Sequence, residues 1–101
     1  MKFLILQRSK SVPVEIWARL FPAHFKYLDG LEKEGKIEVS YHMIGQQGDL
    51  LIVEVGSEEE LTRIVGDDPL FFYSEREVYP ITSRENHRKY LEQFFRKQSK
   101  T

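Results

Sequence analysis

The stretch from residue 36 to residue 55 constrains this chain most. From Lys36 to Ile44, Ile37, Val39, Tyr41 and Met43 alternate with Glu38, Ser40, His42 and Ile44. Successive side chains of a strand point to opposite faces, so this pattern reads as a half-buried strand. Gly45-Gln-Gln-Gly48 then reads as a hairpin loop, and Leu50 to Val55 as the returning strand. Leu51, Val53 and Val55 are expected to share the face of Ile37, Val39 and Tyr41. Leu50, Ile52 and Glu54 are expected to join Glu38, Ser40 and His42 on the other.

The flanking segments supply the remaining elements. Lys2 to Arg8 is a short apolar run that turns polar at its end, and reads as strand one. Pro13 suits the first turn of a helix, with Ser11 as its candidate cap. Pro22 lacks the amide a helix needs, so a short helix over 13–20 and a main helix over 22–34 are expected, with Gly35 closing the second. Ser57 and Glu60 have capping-box spacing, and Leu61, Ile64 and Val65 follow at helical intervals up to Gly66. Asp67-Asp68-Pro69 is a turn, and Leu70 to Tyr73 is a bulky connector. Glu75 to Ile81 is a fourth strand, which Pro80 assigns to a sheet edge or a bulge. Thr82 and Glu85 repeat the capping-box spacing. Leu91, Phe94 and Phe95 mark a final amphipathic helix from Arg84 to about Lys97, followed by a frayed tail over 98–101.

The order is β-α-β-β-α-β plus a terminal helix. It predicts an α+β, ferredoxin-like domain with a four-stranded antiparallel sheet. The whole chain, 1–101, is read as one such domain, with a core over 1–82 and a helical extension over 83–98. Two helices cover one face of the sheet. The face of Ser40, His42, Ile44, Leu50 and Ile52 is left open and half apolar, and a second copy packed back to back would cover it. A homodimer or a larger homo-oligomer is therefore expected.

Composition narrows the function. Fifteen Lys+Arg stand against 16 Asp+Glu, a balance that argues against nucleic acid or an anionic membrane as partner. An RNA-binding domain shares this element order, but Leu50 to Val55 carries none of the exposed aromatic and basic residues its third strand needs. There is no cysteine, so neither disulfides nor thiolate chemistry enter. Phe3 to Leu6 is too short for the core of a signal peptide or a membrane span, so a cytoplasmic protein is expected. The three histidines lie on separate elements with no metal-ligand spacing, and there is no phosphate loop. No metal and no cofactor is expected.

His24 is the first candidate for chemistry. It lies on the apolar stripe of its helix with Leu28 and Leu31 at i+4 and i+7, so a titratable ring is aimed at a core or a cleft. Other candidates line up for binding a small molecule. Arg8 ends strand one and suits a substrate carboxylate. His42 and Ser40 sit side by side on strand two, and Tyr73 is placed to line a cleft. His87, on the last helix, is assigned to packing or surface.

The segment Pro22-Ala-His24, with Leu28, Leu31, Gly35-Lys-Ile37, Asp68-Pro-Leu-Phe71 and Glu77-Val78, resembles the YCII-related proteins. Glu34-Gly35, Ile44-Gly45 and the run from Asp68 through Tyr73 to Val78 equally resemble muconolactone isomerase. Both belong to the dimeric α+β-barrel superfamily, and the likeness spans roughly residues 1–81. The resemblance implies that barrel, and the likeness to the YCII-related proteins implies a helix histidine paired with the aspartate of the Asp-Pro turn, which here are His24 and Asp68. In such a pair the carboxylate fixes the tautomer of the ring and raises its basicity. The implied activity is that of a small cofactor-free isomerase or lyase. It would move a proton on a small, lactone-like or carboxylated molecule, with His24 as base and Asp68 as its orienter. The alternative is a non-catalytic small-ligand or structural barrel.

Overall fold

The structure, a computed structural model, describes residues 1–99. Strand β1 (Lys2–Ser9) leads to helix α1 (Val14–Lys33), the hairpin β2 (Ile37–His42) and β3 (Gly48–Glu54), helix α2 (Glu58–Gly66), β4 (Ser74–Ile81) and helix α3 (Arg84–Ser99). The sheet order is β2-β3-β1-β4, every pair antiparallel. This is the ferredoxin-like arrangement. The edge position of β4 accommodates Pro80, which has no amide to give a ladder.

Helices α1 and α2 pack on one face of the sheet. Leu28 and Leu31 of α1 and Ile64 of α2 meet Ile5, Leu51 and Val53, with Ile37 and Val55 closing the core. α1 ends in a Schellman motif: Lys36 N–H donates to Leu31 O at 3.0 Å and Gly35 N–H to Glu32 O at 3.0 Å. The motif requires a left-handed residue, and Gly35 supplies φ of 74°. At α2, Ser57 accepts from Glu60 N–H at 3.1 Å, while the Glu60 carboxylate reaches back to Gly56 N–H at 3.0 Å. That is the expected box with its return bond one residue upstream.

The structure corrects the sequence reading at several points. Helix α1 runs unbroken through Pro22. Proline removes one internal hydrogen bond there, and the aromatic stack along the same stretch offsets that loss: Trp17 and Phe21 lie 4.0 Å apart between centroids, Phe21 and Phe25 5.6 Å. Pro13 itself is the N-cap and Ser11 does not cap; the Pro13 carbonyl accepts from Ile16 and Trp17. The α3 cap is Ser83, which accepts from Asn86 N–H at 3.0 Å, instead of Thr82. Gln98 and Ser99 are helical instead of frayed; the rest of the expected tail, Lys100 and Thr101, lies outside the described residues.

The largest correction concerns β2. A bulge between Ile37 and Val39 shifts the register, so Ile37 pairs with Val53, but Val39 pairs with Ile52, Ser40 with Leu51, Tyr41 with Leu50 and His42 with Asp49. An extra residue flips every later side chain to the other face. Val39 and Tyr41 therefore join Leu4, Leu6, Leu50 and Ile52 on the open face. Ser40 and His42 turn toward the helices. The open face is more apolar than the alternating pattern implied.

Helix α3 buries no residue. Leu91 is half-buried, and Tyr90, Phe94 and Phe95 are exposed, so the apolar stripe has no seat on its own body. The molecule is accordingly long, 65 × 28 × 20 Å.

Candidate active site

A cavity of about 240 Å³ opens at the end of the sheet where β1 and the β2–β3 hairpin meet α1. One wall is the aromatic stack of Trp17, Phe21 and Phe25. The opposite side is polar, formed by Gln7, His42 and Asp49, with Ser74 and Leu70 from the far edge. His24 lies at the floor.

His24 is 1% exposed and each of its ring nitrogens faces a carboxylate. Nδ1 lies 2.8 Å from Asp68 Oδ1 and Nε2 lies 3.0 Å from Asp49 Oδ2. Burial is the largest influence on the ring and opposes its charge. The hydrogen bonds to Asp49 and Asp68, with the charges behind them, outweigh burial and raise His24 to about 9. At neutral pH the ring is therefore an imidazolium, and both N–H groups donate.

Asp68 is placed by the turn after α2. Burial works against its charge, but the His24 hydrogen bond, the Leu70 amide (2.9 Å) and the Gln7 amide (3.3 Å) together hold it below the usual carboxylate range. Its side chain is 4% exposed and it does not line the cavity. Asp49 does, with its side chain 19% exposed. Its other oxygen lies 3.7 Å from His42 Nδ1 on the lip of the cavity. Asp68, His24, Asp49 and His42 thus form one line from the interior to solvent.

The structure brings together His24, Asp68 and His42 among the residues singled out from sequence. Ser40 and Tyr73 are not in the cavity wall: Ser40 sits farther along the edge strand β2, and Tyr73 ends the 3₁₀ turn Phe71–Tyr73. Arg8 borders the rim, but its Nε donates to Gln46 Oε1 at 2.9 Å and its Nη1 lies 3.8 Å from Glu77. His87 is exposed on α3.

Asp49 and Gln7 escaped the sequence reading. Gln7 carried a signal, a polar residue two positions after the buried Ile5 on the same strand face. Asp49 falls between the expected hairpin loop, Gly45 to Gly48, and the strand expected from Leu50, whereas β3 starts at Gly48 and puts Asp49 on the helix-facing side between Gln7 and His42. Gly48 is needed at that entry: a Cβ there would lie 2.6 Å from Gln7 O and 2.7 Å from Met43 Cε.

Among the described residues, no group of three His, Cys, Asp or Glu side chains could hold a metal ion, and no helix is long and apolar enough to cross a membrane.

The structure resembles 5-chloro-2-hydroxyhydroquinone dehydrochlorinase (TftG) from Burkholderia phenoliruptrix AC1100, solved in complex with 2,5-dihydroxybenzoquinone. The TM-score is 0.71 at 23% identity, covering 85% of this chain and 98% of that one. It resembles muconolactone isomerase with a TM-score of 0.75 at 22% identity, covering 83% and 91% respectively. At these identities the likeness concerns the fold. A comparison with curated proteins finds no match. The family model for muconolactone delta-isomerase matches residues 1–87, from β1 into the first turn of α3, and the chain belongs to that family.

Proposed function

We propose that the protein is a small acid/base enzyme that moves a proton on a small cyclic organic molecule held against the Trp17–Phe21–Phe25 wall. The observation that carries this reading is the placement of Asp49. It presents a carboxylate oxygen to the cavity while the other is fixed by the His24 imidazolium. The expectation that His24 is itself the base is revised: its two nitrogens are both occupied and the ring is sealed from solvent. His24 is a positioning residue and Asp68 anchors it; Asp49 is the acid/base group. In an isomerisation Asp49 takes a proton from one carbon of the substrate. The bond electrons shift into the conjugated system, and the Asp49 carboxyl, whose proton exchanges with solvent, returns a proton to a different carbon. Atoms and charge balance without an oxidant or a bound cofactor. The isomerase and dehydrochlorinase named among the structural neighbours support a reaction of this kind.

A second observation supports self-association. Leu4, Leu6, Val39, Tyr41, Leu50 and Ile52 form a largely apolar sheet face that no element among the described residues covers, and a second copy would cover it.

The test is turnover of a neutral unsaturated lactone. α-Angelica lactone, incubated with the protein in D₂O, should isomerise to its conjugated form with deuterium uptake. Asp49→Asn should abolish the reaction and His24→Ala should cut it severely. Turnover undiminished in Asp49→Asn would contradict the reading, as would no turnover of this lactone together with no turnover of a panel of enolisable lactones and hydroxyquinones.

A further inference from the structure

We infer that His42 is a proton relay: it carries protons between solvent and the Asp49 carboxyl while the cavity is occupied. This rests on the proton-transfer reading of Asp49 and deepens it.

The first observation is that the inner end of the line is closed to proton traffic. His24 is charged and gives one N–H to Asp68 and the other to Asp49 Oδ2, so neither nitrogen is left to accept a proton. A proton that Asp49 takes from a substrate therefore leaves outward, from Oδ1. A molecule filling the cavity of about 240 Å³ displaces the water in front of that oxygen. His42 stays beside it, with Nδ1 3.7 Å from Asp49 Oδ1. Gln7, Ser74 and Arg8 offer no second route. Gln7 gives its amide to Asp68, Ser74 its hydroxyl to the Leu70 carbonyl, and Arg8 its Nε to Gln46. An amide, a hydroxyl and a guanidinium take up no proton near neutral pH, whereas an imidazole accepts on one nitrogen and releases from the other.

The second observation is the placement of the ring. The bulge in β2 sets His42 directly opposite Asp49 across the β2–β3 pair. The His42 side chain is 55% exposed, against 19% for Asp49, so the ring spans from the carboxylate to solvent at the cavity lip. A spacing of 3.7 Å is longer than a hydrogen bond, so the ring does not lock Asp49 in place. Exposed rings rotate within nanoseconds, which is fast enough to close that gap during a turnover.

The transfer balances without a further reactant. Asp49 Oδ1 gives its proton to Nδ1 of the neutral ring, and the resulting imidazolium loses its Nε2 proton to water. A solvent proton returns by the reverse route. The hydrogen delivered to the product thus comes from solvent, because the relay outpaces direct return of the substrate's own proton.

The test follows the migrating hydrogen in D₂O. The substrate is α-angelica lactone, or whichever member of the lactone and hydroxyquinone panel the protein turns over. NMR of the product at low conversion gives the ratio of deuterium to protium at the carbon that receives the hydrogen. That ratio reports exchange against return and not the amount of active protein. Wild-type product should carry mostly deuterium there. His42→Gln should lower the ratio at least about tenfold, with the substrate's own hydrogen returned instead. His42→Arg places a permanent cation opposite Asp49 but relays nothing, and should lower the ratio equally. Added imidazole should restore deuterium uptake in His42→Ala, and His87→Gln should match the wild type. An unchanged ratio in His42→Gln, or a wild-type ratio in His42→Arg, would overturn the inference and leave Asp49 as the acid/base group. Wild-type product that keeps the substrate's hydrogen would overturn it as well. No turnover of any compound in the panel would remove the proton-transfer reading, and the relay with it.

Discussion

His24 and Asp68, separated by 44 positions in sequence, meet at 2.8 Å in the interior, where the Asp-Pro turn after α2 reaches the inward face of α1. The same ring reaches Asp49 on β3 at 3.0 Å. A single buried cation therefore ties one helix, one strand and one turn together at the floor of the cavity. Stability, pH response and the proposed chemistry all depend on that tie.

The pH dependence of stability follows from the sign of the His24 shift. Its folded value of about 9 lies above the ordinary 6.5, so the folded state holds the proton more tightly than the unfolded state. The stabilisation is fully present below about 6.5 and is lost as pH rises through about 9. A shift of this size corresponds to about 3 kcal/mol. Asp68 is shifted down, so its contribution is present above the ordinary carboxylate value and lost on acidification. Urea denaturation should give a plateau between pH 5 and pH 6.5 and a progressive loss toward pH 10, by on the order of 3 kcal/mol. Constant stability across the alkaline range would contradict a charged His24 at neutral pH.

Gly48 is the packing key beside Asp49. A methyl at this position would collide with the Gln7 carbonyl, which belongs to the backbone of β1, and with the flexible end of Met43. Met43 yields easily; the strand does not. Gly48→Ala should cost about 1–3 kcal/mol by forcing β3 away from β1. Chemical denaturation checks this, and a change below about 0.5 kcal/mol would show that the sheet gives way there without penalty.

Two apolar surfaces of the chain stand open: the sheet face around Leu4, Leu50 and Ile52, and the α3 stripe of Leu91, Phe94 and Phe95. A solitary helix of 16 residues is marginal in water. We expect a dimer or larger assembly at micromolar concentration by light scattering. Deleting residues 84–101 should lower the order of assembly or its melting temperature. A stable full-length monomer, or a truncated chain with unchanged assembly and melting, would contradict this.

Much of the fold was legible because periodicity reports it directly. The alternation of β2 and β3, the Leu28–Leu31 stripe and the Ser57 cap each answer to a local rule. His24 was legible for the same reason, as a polar ring on an apolar stripe. What the sequence hid is non-local. Nothing in Ile37-Glu-Val39 announces a bulge, yet that one extra residue moved His42 from the open face to the cavity lip. Asp49 follows Gly48 in what reads as a turn, and only pairing with β1 shows it to be in a strand. Pro22 reads as a breaker from its own chemistry, whereas the aromatic stack that spans it involves residues on both sides of the proline. Arg8 sat at a suitable strand end, but its partners, Gln46 and Glu77, come from distant segments.

The most direct test is the ¹⁵N titration of the His24 ring by NMR, with Asp68→Asn as the companion variant. The account predicts that both ring nitrogens are protonated at pH 7, that the ring titrates near 9, and that Asp68→Asn moves the titration back toward 6.5. A neutral ring at pH 7 with one bare nitrogen would contradict the account and restore His24 itself as the candidate base.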